Sequence, residues 1–142
     1  MTMNIPTSKA TSESYMLEQP YVIAEVGVNH EGSMETAIRL IDEAKEGGAD
    51  AVKFQTYRAE TLAAKDSPAY WDTSKETCQN QYDLFKKHEG FWKEEFEILK
   101  RHCDKVGIEF CSTPFDTESA AFLDPLMPYF KNSSSDITNK PF

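Results

Sequence analysis

The chain has 142 residues, of which 39% are hydrophobic and 27% charged, a composition typical of a folded domain rather than of a disordered segment. Its 24 acidic and 15 basic residues give a formal charge of −9, which argues against a general nucleic-acid binder because phosphate contacts need clustered cations. The sequence has neither the roughly 18 apolar residues in a row that a membrane helix needs nor the apolar core of a secretory signal, so we expect a cytoplasmic protein with no nucleic-acid or membrane partner.

The first part of the chain predicts a leader and then a strand followed by a helix. Residues 1–19 are rich in Ser and Thr without an apolar period, which predicts a flexible leader before a folded region over residues 20–142. The β-branched run 21–26 predicts a buried strand. Ser33 is a suitable cap for a helix with apolar residues at helical spacing, and Gly47-Gly48 is suited to end it.

The middle of the chain predicts a second strand, a long loop and two helices. Residues 51–55 read as a buried strand, and a polar loop follows from residue 56 to about residue 80. A loop of that length in a compact domain is usually functional or partly ordered by a ligand. Helical patterns follow over residues 81–87 and 91–105.

The last part predicts two more strands around a short helix. Residues 108–112 read as the third strand, Asp116 is a suitable cap for the next helix, and residues 129–131 begin a fourth strand. Strands that alternate with helices in this way predict an α/β fold with a parallel sheet. Periodicity alone does not separate an open sheet from a closed barrel.

Polar residues stand at or just beyond the carboxyl end of each predicted strand. In parallel α/β folds this edge of the sheet is where ligands bind, and burying unpaired lysines there would be costly for a purely structural protein. The pattern therefore favours an enzyme, while the absence of GxGxxG and P-loop motifs disfavours a nucleotide-binding domain. The polar residues are Glu25, Lys53, Gln55, Ser112, Thr113, Lys131 and Ser134.

Three motifs carry a resemblance to a known family. IAEVGVNHEG, VKFQ and STPFD occur in this order, and YFKNSSSDITNKPF follows over residues 129–142. In this combination and spacing, the region 21–142 closely resembles the sialic acid synthase family, of the N-acetylneuraminate synthase type that includes legionaminic and pseudaminic acid synthases.

The resemblance implies a fold, an activity and a cofactor. The fold is a (β/α)8 TIM barrel, of which roughly the first four β/α units are present here; in the family a small antifreeze-like domain follows the barrel. The activity is condensation of phosphoenolpyruvate with N-acetylmannosamine or a related amino sugar, which gives a sialic acid-like nonulosonic acid and phosphate. The complete enzyme is expected to be a homodimer that uses a divalent metal, Mn or Mg. The family's metal-binding histidines lie further along the chain, so no metal ligand is predicted here and His30 is not assigned as one.

The resemblance also implies which residues bind phosphoenolpyruvate. Lys131 matches a lysine that holds the phosphate or the carboxylate, and an ammonium group at a strand end is a compact charge suited to that task. Ser134 and Thr113 match hydroxyl groups that hydrogen-bond the same anion. Lys53 matches a further contact to it.

Three other positions match residues near the sugar and the reacting centre. Gln55 resembles a sugar contact; it alternates with Lys53 along the strand, so both can point into the barrel mouth while Phe54 packs on the other face. Glu25 resembles a carboxylate beside the reacting centre, where it could position the aldehyde or handle a proton, or form an ion pair with Lys53. Asp136 stands where many relatives carry a glutamate that acts near the sugar, and its shorter side chain leaves the sugar's identity open.

Several residues fit the family less closely or carry less information. Asn132 and Ser133 replace an apolar and a small residue in the predicted fourth strand, where a buried Asn would need hydrogen-bond partners. Asn29 could brace the loop after the first strand. Tyr70 and Trp71 could cover the sugar or pack on a neighbouring subunit.

Two other functions remain open from the residues themselves. One is a keto-acid lyase in which Lys53 or Lys131 forms a Schiff base, which borohydride trapping with pyruvate would reveal. The other is a non-catalytic truncated barrel, because half a barrel leaves a strand edge and apolar helix faces uncovered. For the isolated 142-residue chain we expect little or no synthase activity.

Overall fold

The computed structural model describes residues 19–140, so the predicted leader lies almost wholly outside the described residues. Three parallel strands form one sheet in the order β1-β2-β3, which confirms the predicted α/β class. Within residues 19–140, no helix is both long enough and apolar enough to cross a membrane. The elements are β1 (Ile23–Gly27), α1 (Met34–Glu46), β2 (Ala51–Thr56), α2 (Ala59–Leu62), α3 (Gln81–His88), α4 (Lys93–Val106), β3 (Glu109–Pro114) and α5 (Thr117–Leu123), with 3-10 turns at Asp124–Leu126 and Ser134–Asp136.

The core lies between one face of the sheet and the helices α1 and α4. Phe54 on β2 and Phe110 on β3 are buried there, with ring centroids 5.9 Å apart, and Phe96 of α4 meets Phe54 edge-on at 6.4 Å. Ile41 of α1 and Leu99 of α4 are fully buried in the same cluster. Phe54 therefore packs toward the helices, which leaves its neighbours along β2 for the opposite face of the sheet.

The predicted helix ends are confirmed by their capping contacts. Ser33 accepts a hydrogen bond from the Thr36 backbone N–H at 3.2 Å, and Asp116 accepts one from the Ser119 N–H at 2.7 Å. These side chains satisfy N–H groups that the first helical turn leaves without a partner. At the other end of α4, Gly107 adopts the left-handed conformation, with φ of 74°, that often ends a helix.

The predicted fourth strand is wrong for the described residues. Within residues 19–140 the sheet contains three strands, and residues 129–131 pair with none of them. Immediately after them, Ser133 accepts a hydrogen bond from the Ser135 N–H and caps the 3-10 turn Ser134–Asp136. Short polar side chains that bond to the nearby backbone compete with strand pairing, so this local hydrogen bonding favours the turn over a strand.

Two loops on the same side of the molecule are joined through His30. Its side chain is buried and lies parallel to the Phe91 ring, with centroids 4.0 Å apart. The backbones of Gly32 and Gly90 are also in close contact, because a Cβ atom placed on Gly90 would lie 2.6 Å from the Gly32 Cα. The NHEG motif therefore holds the loop after β1 against the loop before α4.

We predict that Gly90→Ala destabilises the protein by about 2 kcal/mol, because the added methyl group forces two backbones apart. Chemical unfolding measures the change. Gly47→Ala is the matched control: Gly47 ends α1 at an ordinary φ of −69°, and its nearest neighbour to a new Cβ is the Glu43 carbonyl at 3.3 Å. Equal losses in the two variants would contradict the close contact between the loops.

Candidate active site

Three of the predicted site residues, Glu25, Lys53 and Thr113, form one connected group on the face of the sheet opposite the core. The parallel register pairs Glu25 with Lys53, so their side chains extend from neighbouring strands on the same face. The Lys53 ammonium forms an ion pair with the Glu25 carboxylate and lies 3.4 Å from Thr113 Oγ1. Thr113 pairs with Gln55, two residues beyond Lys53, so the lysine side chain leans toward the carboxyl end of the strands.

Exposure differs strongly between the two partners of this ion pair. The Lys53 side chain is 11% exposed, whereas the Glu25 side chain is 56% exposed. An ammonium group has three N–H donors, and Glu25 and Thr113 engage two of them. Among residues 19–140, no hydrogen bond engages the third donor.

Gln55 extends this group toward the carboxyl edge of the sheet. A Cβ atom placed on Gly27 would lie 3.4 Å from the Gln55 amide nitrogen and 3.6 Å from a Glu25 carboxylate oxygen. Gly27 has a φ of +57°, so a side chain there would be strained as well as crowded. The absence of a side chain at Gly27 therefore leaves room for the Gln55 and Glu25 side chains, each of which lies within 4 Å of the place a Cβ atom would take.

Gln55 also lines a cavity of about 480 Å³, together with Asp136 and Tyr70. Two residues that the resemblance assigns to the sugar therefore share one cavity with an aromatic residue of the long loop. The other lining residues come from α2, from α3, from the position just after β3 and from the second 3-10 turn. They are Leu62, Gln81, Phe85, Phe115 and Ser135.

The two remaining predicted residues lie outside this arrangement. Lys131 and Ser134 are exposed, and within residues 19–140 neither makes a side-chain hydrogen bond or ion pair. Their neighbour Asn132 is exposed as well, and it lines a separate cavity of about 320 Å³ beside Pro114 and Phe130. The expected problem of a buried Asn132 does not arise, because the segment is not inserted into the sheet.

The described residues do not provide a metal site. Among residues 19–140, no group of three or more His, Cys, Asp or Glu side chains lies close enough together to hold a metal ion. His30 is unsuited to that role here, since it is buried against Phe91 and its Nδ1 accepts a hydrogen bond from the Gly32 N–H at 3.1 Å. Burial, with a smaller contribution from nearby His88, lowers the pKa of His30 from 6.5 to about 4.

His30 should make stability depend on pH. Its folded pKa is the lower one, so the unfolded chain binds more protons between pH 4 and 6.5, and stability falls as the pH drops through this window. In His30→Gln, we expect the slope of the unfolding free energy against pH to decrease there by about 1 kcal/mol per pH unit. Urea unfolding at several pH values measures the slope. Parallel curves for the two proteins would contradict a neutral, buried His30.

One positioning contact has no signal in the sequence. The Glu89 side chain is 3% exposed; it accepts a hydrogen bond from the Ala59 N–H at 2.7 Å and lies 3.2 Å from the Arg58 guanidinium, which stacks over Trp92 at 4.9 Å. These contacts attach the start of α2 to the end of α3. Arg58 and Glu89 are 31 residues apart in two polar segments, and no periodic pattern in the sequence connects them. Only the tertiary structure therefore reveals the pair.

The less specific candidates have structural roles as well. The Trp71 indole N–H donates to the Cys78 carbonyl at 3.2 Å, and its ring meets Tyr70 edge-on at 5.0 Å. The Asn29 backbone N–H closes a turn on the Val26 carbonyl at 3.0 Å, and a bracing role for its side chain stays a prediction. Trp71 therefore orders the long loop, while Tyr70 is the one that reaches the cavity.

Comparison with known proteins settles the family. Residues 40–142 match the NeuB family, and this region is well over half of the chain. The chain belongs to the NeuB family. It is 41% identical over 125 residues to the N,N'-diacetyllegionaminic acid synthase of Legionella pneumophila, which covers 86% of this chain and 35% of that protein. It is 36% identical to the human N-acetylneuraminate-9-phosphate synthase, over 86% of this chain and 34% of the human protein.

The fold agrees with that of a solved relative. The crystal structure of N-acetylneuraminic acid (sialic acid) synthetase from Leptospira borgpetersenii, in complex with citrate, superposes with a TM-score of 0.72 at 36% identity. The match covers 85% of this chain and 38% of the Leptospira chain. This NeuB-family chain thus spans about a third of the length of the curated relatives it matches.

Proposed function

We propose that the complete protein containing these residues condenses phosphoenolpyruvate with N-acetylmannosamine or a related N-acylated amino sugar, giving a nonulosonic acid and phosphate. The observation that carries the proposal is the nearly buried Lys53 ammonium, held between Glu25 and Thr113 in a member of the NeuB family. The similar synthases from Legionella pneumophila and human support this reaction class.

In this proposal Lys53 and Thr113 bind the anionic substrate. Fixed hydrogen-bond donors in a water-poor site stabilise developing negative charge without having to reorganise during the reaction. The free third donor of Lys53 and the Thr113 hydroxyl can both reach the same carboxylate or phosphate oxygen. Lys131 and Ser134 would add further donors, which requires the 129–136 segment to approach Lys53 when the substrate binds or when the rest of the barrel is present.

Gln55 and Asp136 are proposed to hold the sugar. Both line the 480 Å³ cavity, and Gln55 lies two residues beyond Lys53 on the same face of β2. This arrangement would place a sugar in the cavity next to an enol phosphate at Lys53. Holding two reactants in contact in this way can remove much of the entropic part of the barrier.

The reaction then forms one carbon–carbon bond and breaks one ester bond. The C3 carbon of phosphoenolpyruvate attacks the aldehyde carbon of the open-chain sugar, whose oxygen takes up a proton. Water adds at C2, loses a proton, and the resulting tetrahedral centre expels phosphate to leave the keto acid. Glu25 lies beside Lys53 and is the carboxylate in position to orient the aldehyde or to accept the proton from water.

The remaining assignments extend beyond the described residues. We propose that β1 to β3 are the first strands of a (β/α)8 barrel, and that the synthase activity depends on the additional length found in the relatives. Action as a homodimer, in the cytoplasm and with manganese or magnesium stays a prediction. The residues described here do not form a metal site, so no step is assigned to a metal.

Lys53→Met in the complete protein should lower kcat/KM for phosphoenolpyruvate by about 10²-fold, because it removes the central cation while keeping a side chain of similar length. Phosphate release in the presence of N-acetylmannosamine measures it. Lys75→Met is the matched control, since Lys75 is 84% exposed and lies in the long loop. If both variants keep the wild-type value while folded, Lys53 does not bind the substrate.

Lys131→Met tests whether the 129–136 segment joins the site. If Lys131 contacts the anion in the complete protein, its kcat/KM for phosphoenolpyruvate should fall at least about tenfold, the loss expected for one charged hydrogen bond. The same phosphate assay serves here, again with Lys75→Met for comparison. An unchanged kcat/KM would remove Lys131 from the site and leave the role of Lys53 standing.

A further inference from the structure

The cavity beside Gln55 is lined by four polar residues and by four aliphatic or aromatic ones. Gln55, Gln81, Ser135 and Asp136 provide hydrogen-bonding groups. The other four lining residues are aliphatic or aromatic. They are Leu62, Tyr70, Phe85 and Phe115.

The charges around the cavity indicate a neutral ligand group. No lysine or arginine among the described residues lines it, and Asp136 is its one charged residue. The cation of the site is Lys53, which lies two residues before Gln55 on β2 and is paired with Glu25. An anion is therefore bound on the Lys53 side, and the cavity suits a ligand with hydroxyl or amide groups and an apolar portion.

Two of the aromatic lining residues, Phe85 and Phe115, pack against a buried tyrosine. Tyr57 is 5% exposed, and its ring meets Phe85 and Phe115 edge-on at 5.8 Å and 5.9 Å. Its hydroxyl donates to the Phe85 carbonyl at 3.3 Å, and burial raises its pKa to about 12, with a smaller contribution from Glu89, so the hydroxyl stays a donor. Phe85 and Phe115 thus form a fixed wall rather than an adaptable one.

The long loop is closed so that it presents Tyr70 to the cavity. Pro68 and Asn80 form an isolated antiparallel bridge, and the Gln81 backbone N–H donates to the Ser67 carbonyl at 3.0 Å. Tyr70 is 74% exposed, so much of its ring is available to contact a ligand at the edge of the cavity. These contacts join the two ends of the loop segment that carries Tyr70.

Gln81 offers an acceptor for an amide. Its side-chain nitrogen donates to the Pro68 carbonyl at 2.9 Å, which fixes the orientation of the side chain. Within residues 19–140, no hydrogen bond engages its side-chain oxygen. A cavity lined by amide and aromatic side chains is complementary to an acylamino group, which has one N–H donor and an apolar acyl chain.

We propose that Leu62, Tyr70, Phe85 and Gln81 bind the N-acyl substituent of the sugar, and that Tyr70 sets the size of the acyl group that the protein accepts. This inference rests on the proposed synthase function and adds the residues that select among N-acylated sugars. A methylene group in an apolar pocket changes discrimination by about tenfold or more, so the size of the pocket is a usable selector.

The test compares three sugars in the complete protein. N-acetyl-, N-propanoyl- and N-butanoylmannosamine are each supplied with saturating phosphoenolpyruvate, and kcat/KM is measured by phosphate release. For Tyr70→Ala, we expect the ratio of the N-butanoyl to the N-acetyl value to rise about tenfold, because the shortened side chain opens the edge of the cavity. Tyr70→Phe, which keeps the ring, should leave the ratio unchanged.

Each outcome supports or overturns the inference. An unchanged ratio in Tyr70→Ala, with the wild type active, refutes the role of Tyr70 and leaves the synthase function intact. A wild type that releases no phosphate with any of the three sugars refutes N-acylmannosamines as substrates and overturns the inference with them. Leu62→Ala, at the end of α2, is a second variant. A rise in the same ratio there would support an acyl chain that contacts Leu62, and an unchanged ratio would refute that contact.

Discussion

The ion pair between Lys53 and Glu25 is the interaction on which the proposed site depends. An ammonium group with little access to water is costly to bury unless charged or polar partners surround it. Here the parallel register of β1 and β2 brings the carboxylate to the lysine, and β3 adds the Thr113 hydroxyl. Three neighbouring strands must therefore be paired correctly before the cation is held in place, which links the function directly to the folding of the sheet.

The alternation of side chains along β2 also places the cation and the cavity next to each other. Lys53 faces away from the core because Phe54, the next residue, is buried against the helices. Gln55, one residue further, returns to the Lys53 face and reaches the cavity. One strand thus carries a cation and, two residues further on, a residue that lines the cavity, although the chain as a whole carries a charge of −9.

Contacts outside the sheet determine the shape of the cavity. Arg58 and Glu89 attach α2 to α3, and Tyr57 fixes two of the rings that line the cavity. Between the loop after β1 and the loop before α4, His30 stacks on Phe91, and this contact gives the NHEG motif a structural role. A motif that resembles part of a catalytic signature can therefore be needed because it packs two loops together rather than because it takes part in the chemistry.

The sequence by itself determined the α/β class, the three strands, the helix caps at Ser33 and Asp116, and the family. These features depend on local patterns or on contiguous motifs, which can be recognised without knowing which segments meet in space. It also predicted that Lys53 and Gln55 share a face, because side chains alternate along a strand. The prediction of a strand at residues 129–131 fails next to a local feature too, since the serines that follow bond to their own backbone in a 3-10 turn.

Other features were decided by the tertiary structure alone. Glu89 is a polar residue in a polar segment, and nothing in its neighbourhood along the chain indicates that it is buried against Arg58. Tyr70 and Trp71 are adjacent and similar in composition, yet one reaches the cavity and the other ties the loop to the Cys78 carbonyl. Contacts between distant segments depend on how the loops close over the sheet, and that closure reflects many weak interactions that leave no periodic trace in the sequence.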